Sequence, residues 1–196
     1  MYKLGITGGI GSGKSTAADF FEKMGAKIFN ADKEAKNHLK NTSAIQHKII
    51  DAFGKRILSN NKICFQKLAD IAFSNKVEQN ILNGIMWPEV FILIDKEISN
   101  SIKNGVELFI VDAAMMFEAN FHNILNSTLL ISTKKNIRLQ RALKRKNIPL
   151  EQIQNRMSLQ MPETEKIKLA NDIIKNNGTI KLFRNKLSEY YKNINY

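Results

Sequence analysis

Residues 2–16 read YKLGITGGIGSGKST, and few stretches restrict the fold of a chain as severely. Gly8, Gly9, Gly11 and Gly13 crowd between an apolar run and a helix-forming run, with Lys14 and Ser15 directly after them. Gly8 to Ser15 satisfies G-x-x-x-x-G-K-[ST] in full, with a strand pattern before it and a helix pattern after it. Glycines in such a loop let successive backbone N–H groups turn inward without Cβ obstruction. The result is an anion nest at a helix N-terminus, whose partial positive charge reinforces it. Lys14 supplies a mobile full charge for β- and γ-phosphates, and the Ser15 hydroxyl is placed to ligate Mg²⁺. The loop therefore implies a bound triphosphate. A dinucleotide fingerprint starting at Gly9 or Gly11 would need glycine at Lys14 or Thr16, and it is absent.

The 196 residues, 43% apolar and 24% charged, suffice for one substantial core. The single Cys64 cannot form an internal disulfide, and Glu107 and Asp112 interrupt the longest apolar candidate, VELFIVDAAMMF. The amino terminus lacks the pattern of a signal peptide, so a soluble, cytoplasmic protein is expected. Thirty basic residues against eighteen acidic give a formal +12, which favours anionic partners. Nucleotides, phosphorylated metabolites and nucleic acid all fit that charge, and the abundance of Lys, Asn and Ile also fits a coding bias.

Strand and helix signals alternate without repeats or low-complexity tracts, which points to an α/β layer fold. A first strand is expected over residues 3–7 and a helix from Lys14 to Met24 with Ala17, Phe20, Phe21 and Met24 on one face. A second strand, KIFNA, ends at Asp32. Residues 33–102 read as largely helical, with TSAIQHKIIDAFG running from a Thr/Ser start to a Gly stop and with Pro88 at the first position of a helix. Short apolar runs at 106–112 and 127–132 suit a buried parallel sheet. DIIKN at 172–176 reads as a last strand, followed by a closing helix.

What is done with the triphosphate depends on the rest of the site. Thr133-Lys134-Lys135-Asn136 lacks the aspartate that a guanine-selective [NT]-K-x-D stretch requires, and Asp112 is followed by Ala113 and Ala114 rather than by a water-orienting glutamate. Asp32, at a strand end beside the loop, can take a proton from an acceptor hydroxyl or simply cap the next helix. Arg138, Arg141 and Arg145, with Lys134 a turn earlier, share a helix face while Ile137, Ala142 and Leu143 can turn inward. Such a row either closes over phosphates as a lid or forms a solvated basic face. His38, His47 and His122 show no metal-ligand spacing. A small-molecule kinase and a nucleotide-regulated nucleic-acid binder both remain open on these grounds.

The order of motifs resembles that of dephospho-coenzyme A kinases over nearly the full length. GITGGIGSGKST is followed by NAD at 30–32, VDAAMMFE at 111–118, RMSLQMPETEK at 156–166 and ANDIIKNNG at 170–178. The resemblance implies a three-layer P-loop fold with a parallel sheet, a helical substrate-binding insertion and a helical lid. It divides the chain into a nucleotide-binding core at 1–32, 105–133 and 159–196, an insertion at 33–104 and a lid at 134–158. It implies ATP as phosphoryl donor, Mg²⁺, and dephospho-coenzyme A as acceptor, phosphorylated at its ribose 3′-hydroxyl in the last step of coenzyme A synthesis. Asp32 takes the base or hydroxyl-orienting role, Lys14 and Arg141 clamp phosphates, and Ser15 serves Mg²⁺. Gly9, Gly11, Ser12, Gly13 and Thr16 complete the loop's contacts to ATP. Arg138, Arg145 and Arg156 belong to the lid, and Asn176 to Gly178 offer backbone to adenine. Trp87 sits toward the acceptor, where the family has histidine before proline. Phe65, Ala114, Lys146 and Asn171 likewise replace the family's usual arginine, proline, aspartate and aspartate. Neither nucleic acid nor membrane is expected as a partner, and a monomer is preferred.

Overall fold

The sheet at the centre of the molecule is wholly parallel, and its strand order carries the glycine loop to the middle of one edge. The structure, a computed structural model, describes residues 1–145 and 149–194. Strands β1 (Tyr2–Thr7), β2 (Lys27–Asn30), β5 (Leu108–Asp112), β6 (Ser127–Ser132) and β7 (Asp172–Lys175) lie in the order β2-β5-β1-β6-β7. Every residue of β5 is buried, as expected of a parallel strand covered on both faces. Registers place Asn30 opposite Asp112 and Ile6 opposite Asp112, so β1, β2 and β5 end together at the loop.

Helices α1 (Lys14–Lys23) and α9 (Ile180–Asn193) cover one face of the sheet. Phe21, fully buried, packs there with Leu4, Ile110, Leu129, Phe183 and Leu187, and burying a side chain of this kind contributes about 1.5–3 kcal/mol. Phe20 is half-buried and Met24 is 45% exposed, so the inward stripe of α1 is Ala17, Ala18 and Phe21. On the other face, Val90, Ile94 and Ile98 of α5 (Lys76–Lys103) meet Phe29, Phe109 and Val111. A third cluster, separate from the sheet, forms among α2 (Ala31–Asn41), α3 (Ser43–Phe53), α4 (Phe65–Ala72) and α5 around Ile45, Ile49, Phe53 and Leu68.

Three local expectations are corrected. Pro88 lies inside α5 rather than at its start. Proline removes one helical hydrogen bond and crowds the carbonyl four residues earlier. That residue is Gly84, beside which there is open space, while Met86 and Val90 bury on either side of the proline and hold the helix through it. The second correction is a hairpin, β3 (Leu58–Ser59) with β4 (Lys62–Ile63), inside the segment read as helical. Its turn places Asn60 and Asn61 at φ 50° and 57°, the left-handed conformation that asparagine tolerates and tight hairpins require. Third, β2 ends at Asn30 and Asp32 sits in the first turn of α2. Asn30 is the cap, its Oδ1 accepting from the Lys33 N–H at 2.8 Å.

Helices α6 (Lys135–Lys144), α7 (Leu150–Ser158) and α8 (Glu163–Leu169) complete the chain between β6 and β7. Ala142 turns inward from α6 as expected, but Leu143 is 39% exposed. The departure at Lys146 lies outside the described residues.

Candidate active site

The glycine loop leaves β1 at Thr7 and enters α1 at Lys14, with Gly13 at φ 102° as the residue before the helix. No side chain caps α1, so its first N–H groups have no side-chain partner at the loop. The close approaches that demand glycine are specific. A Cβ on Gly9 would collide with the Arg138 guanidinium, one on Gly11 with the Arg138 carbonyl, and one on Gly13 with the Asn176 amide. The Ser12 hydroxyl is buried and has no partner among the described residues. These are the features of a backbone cradle shaped for an anion, and they fit a nucleotide's phosphates.

Lys14 is the charge centre of the site. Its Nζ donates to the Asp112 carboxylate and lies 3.5 Å from Asp32 Oδ2. Asp112 ends β5, its side chain almost completely buried, and its second oxygen accepts from Asn30 Nδ2 at 2.8 Å. Burial pushes the Asp112 carboxyl above its usual range, and the adjacent Lys14 opposes that shift. Asp32 is 55% exposed and turns one oxygen to the Ala114 N–H at 3.3 Å. One carboxylate is thus buried and committed to Lys14, while the other stands open at the mouth of the loop.

The far wall comes from β6, α6 and the turn before α8. Thr133, fully buried, donates its hydroxyl to Ser12 O at 3.0 Å, with Asn176 O at 3.2 Å, and Asn176 Nδ2 donates to the same Ser12 oxygen at 2.8 Å. Asn176 N–H is already given to Ser132 O at 2.8 Å, so Asn176 meets the loop with its side chain and the sheet with its backbone. Gln160 Oε1 accepts from the Ile10 N–H at 3.3 Å. Glu163 accepts from Ser132 Oγ at 2.5 Å and from Thr133 N at 3.0 Å, and lies 3.6 Å from Arg138 Nε.

The expected arginine row does not act as one face. Arg138 folds over Gly9, Arg141 donates to Gly178 O at 3.4 Å, and Arg145 is exposed. Arg156 stacks on the Phe73 ring with its guanidinium carbon 4.9 Å from the centroid. Ser15 is exposed and Thr16 half-buried at the start of α1. Trp87 is half-buried against the cluster under β2 and β5, and Phe65 packs in the third cluster with Lys40 Nζ 5.6 Å from its ring. A cavity of about 950 Å³ opens between α6, α7 and the start of α8, lined by Lys134, Lys135, Met157 and Met161 among others. Neither Lys14 nor the two aspartates line it, but Arg138, Thr133, Gln160 and Glu163 do, so it shares a wall with the site. Asp112, Asn30, Thr133, Gln160 and Glu163 were absent from the residues picked by sequence. Asp112 carries a local signal, an acid ending an apolar strand, and Asn30, Gln160 and Glu163 lie inside the quoted runs NAD and RMSLQMPETEK.

The dephospho-CoA kinase profile matches residues 2–181. The chain belongs to the dephospho-CoA kinase family. Two relatives bearing that name are those of Lactobacillus johnsonii, 34% identical with 98% of each chain covered, and Carboxydothermus hydrogenoformans, 33% identical with 94% of this chain and 90% of the relative covered. The solved dephospho-CoA kinase of Campylobacter jejuni superposes with a TM-score of 0.67 at 28% identity, covering 97% of this chain and 95% of the other. The family's P-loop kinase architecture accounts for the parallel sheet, the cradle and the helices that follow β6.

Proposed function

We propose that this chain transfers the terminal phosphoryl group of ATP to the ribose 3′-hydroxyl of dephospho-coenzyme A, forming coenzyme A and ADP in the final step of coenzyme A synthesis. The observation that carries the reading is the placement of Lys14 between a buried Asp112 and an open Asp32 at the mouth of an uncapped helix. Triphosphate oxygens entering the cradle compete with the carboxylates for Lys14, which then bridges the β- and γ-phosphates. Asp32 stays at the edge, able to orient an acceptor hydroxyl and take its proton. Arg138 over the loop and Arg141 beside Gly178 supply guanidinium forks for charge spread over the transferring group. Arg145 and Arg156 are assigned to the lid, and Gly178 to the adenine side.

Mg²⁺ commonly takes few protein ligands and several phosphate oxygens and waters, and the exposed Ser15 hydroxyl beside the cradle suits that pattern. When bound, the ion neutralises charge across the β- and γ-phosphates. In this reading, residues 1–32, 105–133 and 159–196 form the nucleotide core, 33–104 the acceptor domain with Trp87 toward the substrate, and 134–158 the lid, in a cytoplasmic monomer.

Coupled ADP release should rise several-fold on adding dephospho-coenzyme A to enzyme and Mg·ATP, and Lys14→Ala should abolish the increase. A panel of nucleosides, nucleoside monophosphates and sugars run beside it tests the acceptor. No increase with dephospho-coenzyme A, or a larger one with another acceptor, overturns the assignment.

A further inference from the structure

Two charges lie deep behind the site and make no contact with the glycine loop. Lys166, on α8, is 2% exposed, and its Nζ lies 3.0 Å from Glu118 Oε1, itself nearly buried. Lys166 also donates to the Ala114 carbonyl at 2.9 Å, which the Thr7 hydroxyl meets at 3.5 Å. Ala114 in turn directs its own N–H to Asp32 at 3.3 Å. Glu118 Oε1 also accepts from the Met161 N–H at 2.8 Å, one residue from the Gln160 that holds Ile10. One buried ion pair therefore anchors the segment that meets Asp32 and the turn that meets the loop.

A buried pair of this kind is a weak source of stability, since two desolvation penalties offset most of the attraction. Burial, and to a lesser degree Arg138, pulls the Lys166 ammonium below its usual range, and Glu118 opposes that shift. What the pair does provide is a fixed donor at 2.9 Å to the Ala114 carbonyl, shorter than the Thr7 contact to the same oxygen at 3.5 Å. Ala113 N–H is tied to Ile6 O at 3.1 Å, and Ala114 is held next, at its N–H by Asp32 and at its carbonyl by Lys166.

We infer that Lys166 is a positioning residue for phosphoryl transfer: by gripping the Ala114 carbonyl it keeps the Ala114 N–H on Asp32 and so orients the carboxylate toward the acceptor hydroxyl. This rests on the proposed role of Asp32 and adds to it the means by which an exposed side chain is held. Lys166 touches neither substrate nor reacting atoms. Its hydrogen bond to Ala114 is the contact that links it to Asp32, and a mutant cycle isolates that contact.

The test is a cycle. Lys166→Met alone leaves Glu118 buried and unpaired, so the working variant is Lys166→Met with Glu118→Gln, which keeps an acceptor for Met161 N–H and removes both charges. This pair should lower kcat about ten- to hundredfold, as small misplacements of a catalytic group do, with KM for ATP changed less than about twofold. Combined with Asp32→Asn, it should cost less than about twofold beyond Asp32→Asn itself, because the two act on one contact. Equal losses in both backgrounds, or an unchanged kcat, overturn the inference. Hydrogen exchange at the Ala114 amide gives an answer independent of turnover. Exchange should quicken in the Lys166→Met/Glu118→Gln protein, and retained protection overturns the inference even if the parent chain shows no dephospho-coenzyme A-dependent activity. That last result in the parent would instead refute the proposed reaction.

Discussion

Replacing Gly13 by alanine tests whether the cradle is held by contact or only by backbone conformation. At φ 102° a non-glycine residue sits outside its favoured regions, a strain of about 1–2 kcal/mol. The new Cβ would also lie about 2.4 Å from Asn176 Nδ2. Asn176 is 6% exposed, and its amide donates to Ser12 O at 2.8 Å, so it cannot step aside without losing that bond, worth about 0.5–1.5 kcal/mol net. Ser12 O keeps its Thr133 donor, which limits the second loss. Gly13→Ala should therefore cost about 2–3 kcal/mol, a fall in Tm of roughly 4–12 °C for a chain of this size. Urea denaturation of Gly13→Ala, Asn176→Ala and the double variant measures the clash directly. Removing Asn176 also removes the collision, so the double variant should fall short of additivity by about 1 kcal/mol. A single-variant cost under about 0.5 kcal/mol, or additive costs, would refute the account of Gly13.

Asp112→Asn should change how stability depends on pH. The native carboxyl is raised above the ordinary 3.8 by burial, so between that value and the native one the folded protein holds more protons than the unfolded chain. The stability that this group contributes is complete below the unfolded value and is lost as pH rises through the native one. The asparagine variant lacks that loss, so its stability relative to the parent should climb across the same window and level off above it. Superimposable urea midpoints through a pH series would refute the burial argument. Trp87, the single tryptophan, gives the other readout: adding dephospho-coenzyme A should shift its emission, and silence at saturating acceptor would remove it from the acceptor site.

What the sequence disclosed depended on the range of the forces involved. STLLIS was legible to the residue as β6 because a strand covered on both faces needs nothing beyond a short apolar run. The loop was legible because glycine spacing is a local demand of backbone geometry. The hairpin at 58–63 also had a local signal, Asn60-Asn61 between β-capable residues, which the helical reading of the region passed over. Pro88 misled for a different reason: a proline mid-helix costs about 3 kcal/mol by propensity, and only the burial of Met86, Val90, Ile94 and Ile98 against two separate clusters offsets it. No window around residue 88 contains that information.

The candidate site divides along the same line. Lys14, Ser15 and Asp32 announce themselves by neighbours in sequence, whereas the groups that hold them come from far along the chain: Asn176 on Ser12, Gln160 on Ile10, Lys166 on Ala114. Helical spacing groups Arg138, Arg141 and Arg145 on one face, but the structure gives them different partners because partners are chosen by what lies across the gap. Glu163 draws Arg138 down against Gly9, Gly178 receives Arg141, and Arg145 faces solvent. Periodicity fixes direction and leaves function to the opposing surface. RMSLQMPETEK is the clearest case, since its Gln160, Glu163 and Lys166 hold the glycine loop, the end of β6 and the Ala114 segment respectively. A run read as one motif is physically three separate anchors, each made meaningful by a strand end that the sheet order brings within reach.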